Sequence, residues 1–155
     1  MNLLKERIKE KGIMQKRLAE KIDISESYFN YVVNKKRELS YSLAKKLYKE
    51  LGYNSPISVI LEYYGFSDDK DLNKFIEDKQ ITETVGNIIL THFRNNDLSR
   101  KEKAEFLGSI LAVAGQLIEK GKTESFEGFR EAGNWKTEEP EGVKQWIQLK
   151  KQGKK

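Results

Sequence analysis

QKRLAEKIDISESYFNYVVNKKR, residues 15–37, sets two helical hydrophobic patterns on either side of a four-residue joint, Asp23-Ile24-Ser25-Glu26. In the first, from about Gln15 to Ile22, Leu18, Ala19 and Ile22 recur at spacings of one, three and four, which puts them on one helix face. After the joint, Ser25 is placed to accept from the N–H groups of a new first turn, and Glu26 suits the positive end of the helix dipole. Phe29, Val32 and Val33 then form the inward stripe of the second helix. Ala19 is small enough to let the two helices touch. Asp23 tolerates the left-handed backbone of a tight joint, though less well than glycine would. With that stripe inward, Tyr28 and Tyr31 fall outward. This is an uncommon use of aromatic residues in a chain that is 37% hydrophobic and 34% charged, where roughly 25% charged is usual.

The helical pattern continues on both sides. Leu4 and Ile8 lie on a helix opened by Asn2 and closed by Gly12. Ser40 caps another with Leu43, Ala44, Leu47 and Leu51 on one face and Gly52 as its left-handed stop. A fifth begins at Ser55-Pro56, since the first helical N–H needs no partner, and ends near Gly65. Nothing in this part reads as strand. SDDKD, residues 67–71, is the expected domain boundary.

Beyond it the pattern predicts a short helix with Leu72, Phe75 and Ile76, then one from about Ile81 to Asn95 that gathers Ile81, Val85, Ile88, Ile89 and Phe93. The next opens with Ser99 and Glu102 in capping-box spacing and runs to Gly121. Its apolar set is wide: Leu107, Ile110, Leu111, Ala114, Leu117 and Ile118 in one stripe, with Phe106 and Val113 beside it. Gly108, Ala112 and Gly115 are small enough for close helix contact. A single antiparallel partner does not bury so broad a face. A second copy of the chain is therefore expected against Val85, Ile89, Phe106, Leu107, Ile110, Leu111, Ala114 and Leu117, the N-terminal unit being the other possible cover. Residues 122–139 read as an extended arm rich in Gly, Glu and Thr that carries Phe126, Phe129 and Trp135. After Pro140 a last amphipathic helix shows Val143, Trp146 and Ile147. The expected fold is all-α: a five-helix domain over 1–66, a helical dimerisation region over 67–121, and an extended arm with a short terminal helix over 122–155.

Charge is unevenly placed. Residues 1–66 hold 13 Lys and Arg against 8 Asp and Glu, and residues 67–155 hold 16 of each, so the net +5 belongs to the first part. The last twelve residues add five lysines and no acid. A polyanion is the natural partner of such an N-terminal unit.

The segment MQKRLAEKIDISESYFNYVVNKKR, with the helix before it and SYSLAKKLYKELG after it, resembles the lambda-repressor-like, or Xre-type, helix-turn-helix family of prokaryotic and phage DNA-binding domains. The resemblance covers residues 2–65 and none of the remainder. Gln15, Leu18-Ala19, Ile24-Ser25, Asn34 and Ala44 with Leu47 fall where the family pattern has Gln, Leu-Ala, Val-Ser, Asn and Ala-Leu. Asp23 and Lys35 stand where glycine is common, Leu39 where proline is, and Met14 where a capping Thr or Ser is usual. The departure at Lys35 leaves the path of the loop after Asn34 open.

This resemblance implies that the first helix of the pair braces against the DNA backbone while the second enters the major groove. Glu26, Ser27, Asn30 and Tyr31 would then meet base edges, Asn pairing with adenine, Glu accepting from cytosine N4 and Ser serving either base. Gln15, Lys16, Tyr28, Lys35, Lys36 and Arg37 would meet phosphates. For Tyr28 and Tyr31 the competing expectation is packing on the fourth helix beside Tyr41 or Tyr48. Lys45, Lys46 and Lys49 are expected only to solubilise. The implied function is that of a sequence-specific transcriptional regulator, a repressor of phage or mobile-element type, that binds double-stranded DNA at an inverted repeat as a homodimer. The alternative is an antitoxin or antirepressor-controlled regulator whose C-terminal region docks another protein, a role that Trp135 and Trp146 suit, the competing expectation being that they dock on the chain's own body or on a second copy.

Catalysis has little to work with. There is no cysteine, and His92 is the single histidine, expected as a partly exposed structural residue beside the apolar face of its helix. Asp68-Asp69 reads as an acidic linker. Self-cleavage at an Ala-Gly bond would need Ala114-Gly115, which lies mid-helix, or Ala132-Gly133, which leaves only 22 residues downstream, too few for a catalytic domain. No enzyme, metal or cofactor is expected. The start, MNLLKERIKEKG, lacks the apolar stretch of a signal peptide, and no run approaches the roughly 18 apolar residues of a membrane span, so a cytoplasmic location is expected.

Overall fold

The computed structural model describes residues 2–66, 79–95, 97–120 and 141–153, which hold eight α-helices and no strand. The chain divides into two compact units, residues 1–73 and 74–155. The first contains α1 (Leu3–Glu10), α2 (Gln15–Lys21), α3 (Glu26–Val33), α4 (Tyr41–Glu50) and α5 (Pro56–Tyr63). The second contains α6 (Lys79–Asn95), α7 (Arg100–Lys120) and α8 (Glu141–Lys151). The boundary expected at 67–71 and the short helix around Leu72 to Ile76 lie outside the described residues.

In the first unit the helix starts follow the side chains read as caps. Asn2, Ser25, Ser40 and Ser55 each accept from a backbone N–H three residues on, a contact of roughly 1 kcal/mol apiece. Met14 stands at the start of α2 with no side-chain cap. The helix ends share one geometry. After α2, Asp23 N–H donates to Glu20 O and Ile24 N–H to Ala19 O; after α3, Lys35 N–H donates to Val32 O and Lys36 N–H to Tyr31 O. Both are Schellman closures, which need a left-handed residue directly after the helix. Gly12, Gly52 and Gly65 fill that place after α1, α4 and α5, but Asp23 (φ 56°) and Lys35 (φ 58°) fill it around α3. The loop after Asn34 thus follows the path that a glycine would give it.

Leu4, Leu18, Phe29, Val32, Val33, Leu39, Leu47 and Leu51 form the core of this unit, all essentially inaccessible. α2 packs on α3, and α5 packs on both α4 and α1. Every residue of α5 is buried, as its almost uniformly apolar sequence requires. Its one charge, Glu62, is 5% exposed and is held from two sides. Arg7 donates to Oε1 and the Tyr53 hydroxyl to Oε2, each at 2.5 Å, while the Arg7 guanidinium lies 4.8 Å from the centroid of the Tyr53 ring. Burial and the carboxylate of Glu62 push the Tyr53 phenol well above its ordinary range, and the hydrogen bond to Glu62 raises the Arg7 guanidinium further. Tyr53 therefore stays a donor and Arg7 a cation.

In the second unit α7 and α8 each pack on α6. Val85, Ile88, Ile89, Leu90 and Phe93 of α6, Phe106, Leu107, Ile110, Val113 and Ala114 of α7, and Val143 and Ile147 of α8 are all buried. The capping box at α7 forms in both directions, Ser99 N–H to Glu102 Oε2 at 2.8 Å and Glu102 N–H to Ser99 Oγ at 3.3 Å. Four expectations change here. Val85, Ile89, Phe106, Leu107, Ile110 and Ala114, expected against a second copy, are already interior to one chain; the side chains of Leu111 and Leu117 lie outside the described residues. The terminal helix, read as part of an arm, is a packing element of α6. At Gly108 an added Cβ would meet nothing within 4 Å, and Ala112 is exposed, so those two residues make no close helix contact among the described residues, while the surroundings of Gly115 lie outside them. His92, expected to be partly exposed, is 7% exposed and stacks on Phe106 with ring centroids 3.8 Å apart. Phe126, Phe129 and Trp135 lie outside the described residues, as does the side chain of Trp146.

The left-handed joint and the buried ion pair can each be probed by substitution. Asp23→Gly should raise stability by about 0.5 kcal/mol and Asp23→Val should lower it by more than about 1 kcal/mol, because a β-branched side chain resists the left-handed region; urea unfolding reads both. Glu62→Ala should cost about 3 kcal/mol in the same measurement by leaving Arg7 and Tyr53 without their acceptor. The apolar replacement Arg7→Met/Tyr53→Phe/Glu62→Leu should recover most of that loss.

Candidate nucleic-acid interface

α3 is divided lengthwise by burial. Phe29, Val32 and Val33 are fully covered, whereas Glu26, Ser27, Asn30 and Tyr31 are exposed and Tyr28 is half-buried. Ser25 Oγ accepts from Tyr28 N–H at 3.2 Å, so the first turn is fixed and the outward residues stand on a defined helix. Tyr31 is 47% exposed; with Met14 at 59% it is one of two large hydrophobic side chains left in solvent among the described residues. The structure thus brings the four expected base-reading residues together on one outward strip. It also separates the two tyrosines, Tyr31 outward and Tyr28 partly covered.

The basic loop that follows is tied to the helix. The N–H groups of Lys36 and Arg37 both donate to Tyr31 O, at 2.8 and 3.2 Å, and the Tyr63 hydroxyl on α5 donates to Arg37 O at 3.0 Å. Lys36 and Arg37 are exposed at the end of the strip. The Lys35 ammonium lies over the Tyr63 ring, 5.5 Å from its centroid, so of the three basic residues Lys35 is directed towards the body of the domain. At the other edge, Lys16 is exposed on α2 and Gln15, its first residue, is half-buried. Lys45 and Lys46 are exposed on α4, and Lys49 lies over the Tyr48 ring.

Some residues of this site were not given a part in it from the sequence, although Asn34 belongs to the family pattern and Asn2 was read as a cap. Asn34, the residue closing α3, donates through Nδ2 to Asn30 O at 2.9 Å and to Asn30 Oδ1 at 2.6 Å, and its own Oδ1 accepts from Lys5 Nζ at 3.3 Å. Asn2 does two jobs: its Oδ1 caps α1 and its Nδ2 donates to Val33 O at 2.6 Å. Tyr63 anchors the loop. The Asn30–Asn34 pair had a local signal, since amides four apart on a helix meet. Lys5, Asn2 and Tyr63 are 26 to 31 positions from their partners, and nothing in the local pattern marks them.

Among the described residues no group of His, Asp or Glu is arranged to hold a metal ion, and no helix is long and apolar enough to cross a membrane. A family model described as helix-turn-helix matches residues 4–56. No curated protein and no solved structure matches the chain. The matched segment spans α1 to the first residue of α5 and contains the whole outward strip of α3 together with its basic loop. The match falls on the segment that resembles the lambda-repressor-like, Xre-type helix-turn-helix family, and it supports a DNA-binding fold of the kind found in transcription regulators for residues 4–56.

Proposed function

We propose that the chain is a sequence-specific transcriptional repressor that sets α3 in the major groove and binds an inverted-repeat operator as a homodimer. The observation that carries this reading is the outward strip of α3. Tyr31 stands in solvent there beside Glu26, Ser27 and Asn30, with Lys36 and Arg37 at its end, all within the segment that matches the helix-turn-helix family. An aromatic ring on this strip is left to solvent by the chain itself, and the floor of a groove, with its thymine methyls, would cover it. Glu26, Ser27, Asn30 and Tyr31 would select bases. Lys16, Lys36 and Arg37, with the backbone and side chain of Gln15 at the positive end of α2, would hold phosphates. Tyr28 would reach the groove wall, and Lys35 would join the phosphate contacts by leaving the Tyr63 ring.

Pairing of two copies is assigned to the second unit. It does not consist of apposing a bare apolar stripe of α6 and α7, because one chain already covers six of the residues concerned.

Site selection from random duplexes with the full-length chain should enrich an inverted repeat whose half-sites lie one helical turn, about 34 Å, apart, and sedimentation equilibrium should give twice the chain mass. Enrichment of a single half-site by a monomer would remove the dimer from the reading, and no enrichment would remove the DNA target. Lys36→Ala should weaken all duplexes about equally and lessen the salt dependence by about one unit of slope, because one phosphate is no longer neutralised. Binding isotherms over a salt series on operator and unrelated DNA measure this. A weakening confined to the operator would move Lys36 into the base-reading set.

A further inference from the structure

Asn30 is the one amide among the four outward residues of α3, and its orientation in the free protein is determined by its neighbours. Asn30 O can only accept, so the Asn34 amide atom 2.9 Å from it is the NH2 group. Lys5 Nζ can only donate, so the other Asn34 amide atom, 3.3 Å away, is the oxygen. The two assignments agree. The Asn34 NH2 group also lies 2.6 Å from the Asn30 side chain. At that distance a second NH2 group would meet it hydrogen to hydrogen, so Asn30 turns its oxygen inward. Its own NH2 group, with no acceptor among the described residues, is the end that is free to donate.

The geometry points to Asn34 as a positioning residue that presents Asn30 to the groove donor first, so that Asn30 reads guanine rather than pairing with adenine through both amide atoms. Guanine offers two acceptors, N7 and O6, to a single NH2 group. Adenine offers one acceptor and one donor, and its N6 hydrogen would have to share an oxygen already engaged by Asn34. Cytosine offers only a donor, and thymine offers a single acceptor, O4, against the two of guanine. The chain Lys5, Asn34, Asn30 therefore links α1 to base choice: Lys5 fixes which way the Asn34 amide faces, and Asn34 fixes Asn30. This inference rests on the proposed DNA reading.

The discriminating variant is Asn34→Asp. A carboxylate has no hydrogen for Asn30 Oδ1 and accepts instead from Asn30 Nδ2, which turns the Asn30 oxygen outward. Site selection with wild type, Asn30→Ala and Asn34→Asp, each first shown to melt as a folded protein, gives the test. Asn30→Ala identifies the base pair concerned by losing preference there. At that pair the wild type should prefer guanine over adenine by about fivefold or more, and Asn34→Asp should move the preference to adenine or cytosine, whose exposed amines the outward oxygen would accept. The extra negative charge lowers affinity for all duplexes alike, but a ratio between bases at one position is insensitive to it. An adenine preference in the wild type, or the same base chosen by wild type and Asn34→Asp, overturns the inference while leaving the DNA reading standing. A wild type that enriches no sequence overturns the DNA reading and the base assignment with it. A measurement without DNA tests the positioning step alone: in the free protein the side-chain NH2 protons of Asn34 should exchange with solvent more slowly than those of Asn30, and the reverse order overturns it.

Discussion

Two left-handed residues bracket the third helix, Asp23 three positions before it and Lys35 two positions after it. They fix the direction in which the chain enters and leaves α3. Each sits in a region that costs a side chain about 1 kcal/mol relative to glycine. That cost is small beside the burial of Phe29, Val32 and Val33, each worth roughly 1.5 to 3 kcal/mol when fully covered. The Schellman closures set the angle between α2 and α3 and aim the basic loop, and the inward stripe sets the rotation of α3 about its own axis. Once both are set, the residues left outside are Glu26, Ser27, Asn30 and Tyr31, and the groove-facing strip is a consequence of core packing.

The domain around that strip is held by polar ties as well as by its core. Tyr63 on α5 holds the loop at Arg37, Asn2 holds the last carbonyl of α3, and Lys5 reaches the amide that closes it. All three come from outside α3. A helix of eight residues is too short to be stable alone in water, so its position rests on these neighbours. The buried Glu62 with Arg7 and Tyr53 does the same for α5 against α1, and because both carboxylate oxygens are engaged the charge is paired where it is buried. Such an arrangement costs more to break than it contributes over an apolar equivalent.

In the second unit the same principle acts through apolar side chains. His92 stacks on Phe106, which brings an aromatic pair across α6 and α7. α8 adds Val143 and Ile147 against α6. The wide stripe of α7 is thereby interior in its described part, which leaves Ala104, Gly108 and Ala112 on the exposed side of that helix.

Features that depend on near neighbours along the chain were legible in the order of the amino acids. The helix starts at Ser25, Ser40 and Ser55, the closures at Gly52 and Gly65, the inward set of α3 and the capping box of α7 are all decided within three to seven residues, where periodicity and cap chemistry act. The outward strip was legible for the same reason, since knowing which residues a helix buries also says which it does not. Features that depend on partners tens of residues away required the folded chain. The orientation of Asn30 needs Lys5 through Asn34, the loop path needs Tyr63, and the exposed Lys35 sets its ammonium over an aromatic ring. His92 and the described part of the stripe of α7 are buried in the folded chain, where α7 and α8 both pack on α6. A hydrophobic pattern states that a face must be buried, but not by what, because burial is non-directional; only the folded chain supplies the partner.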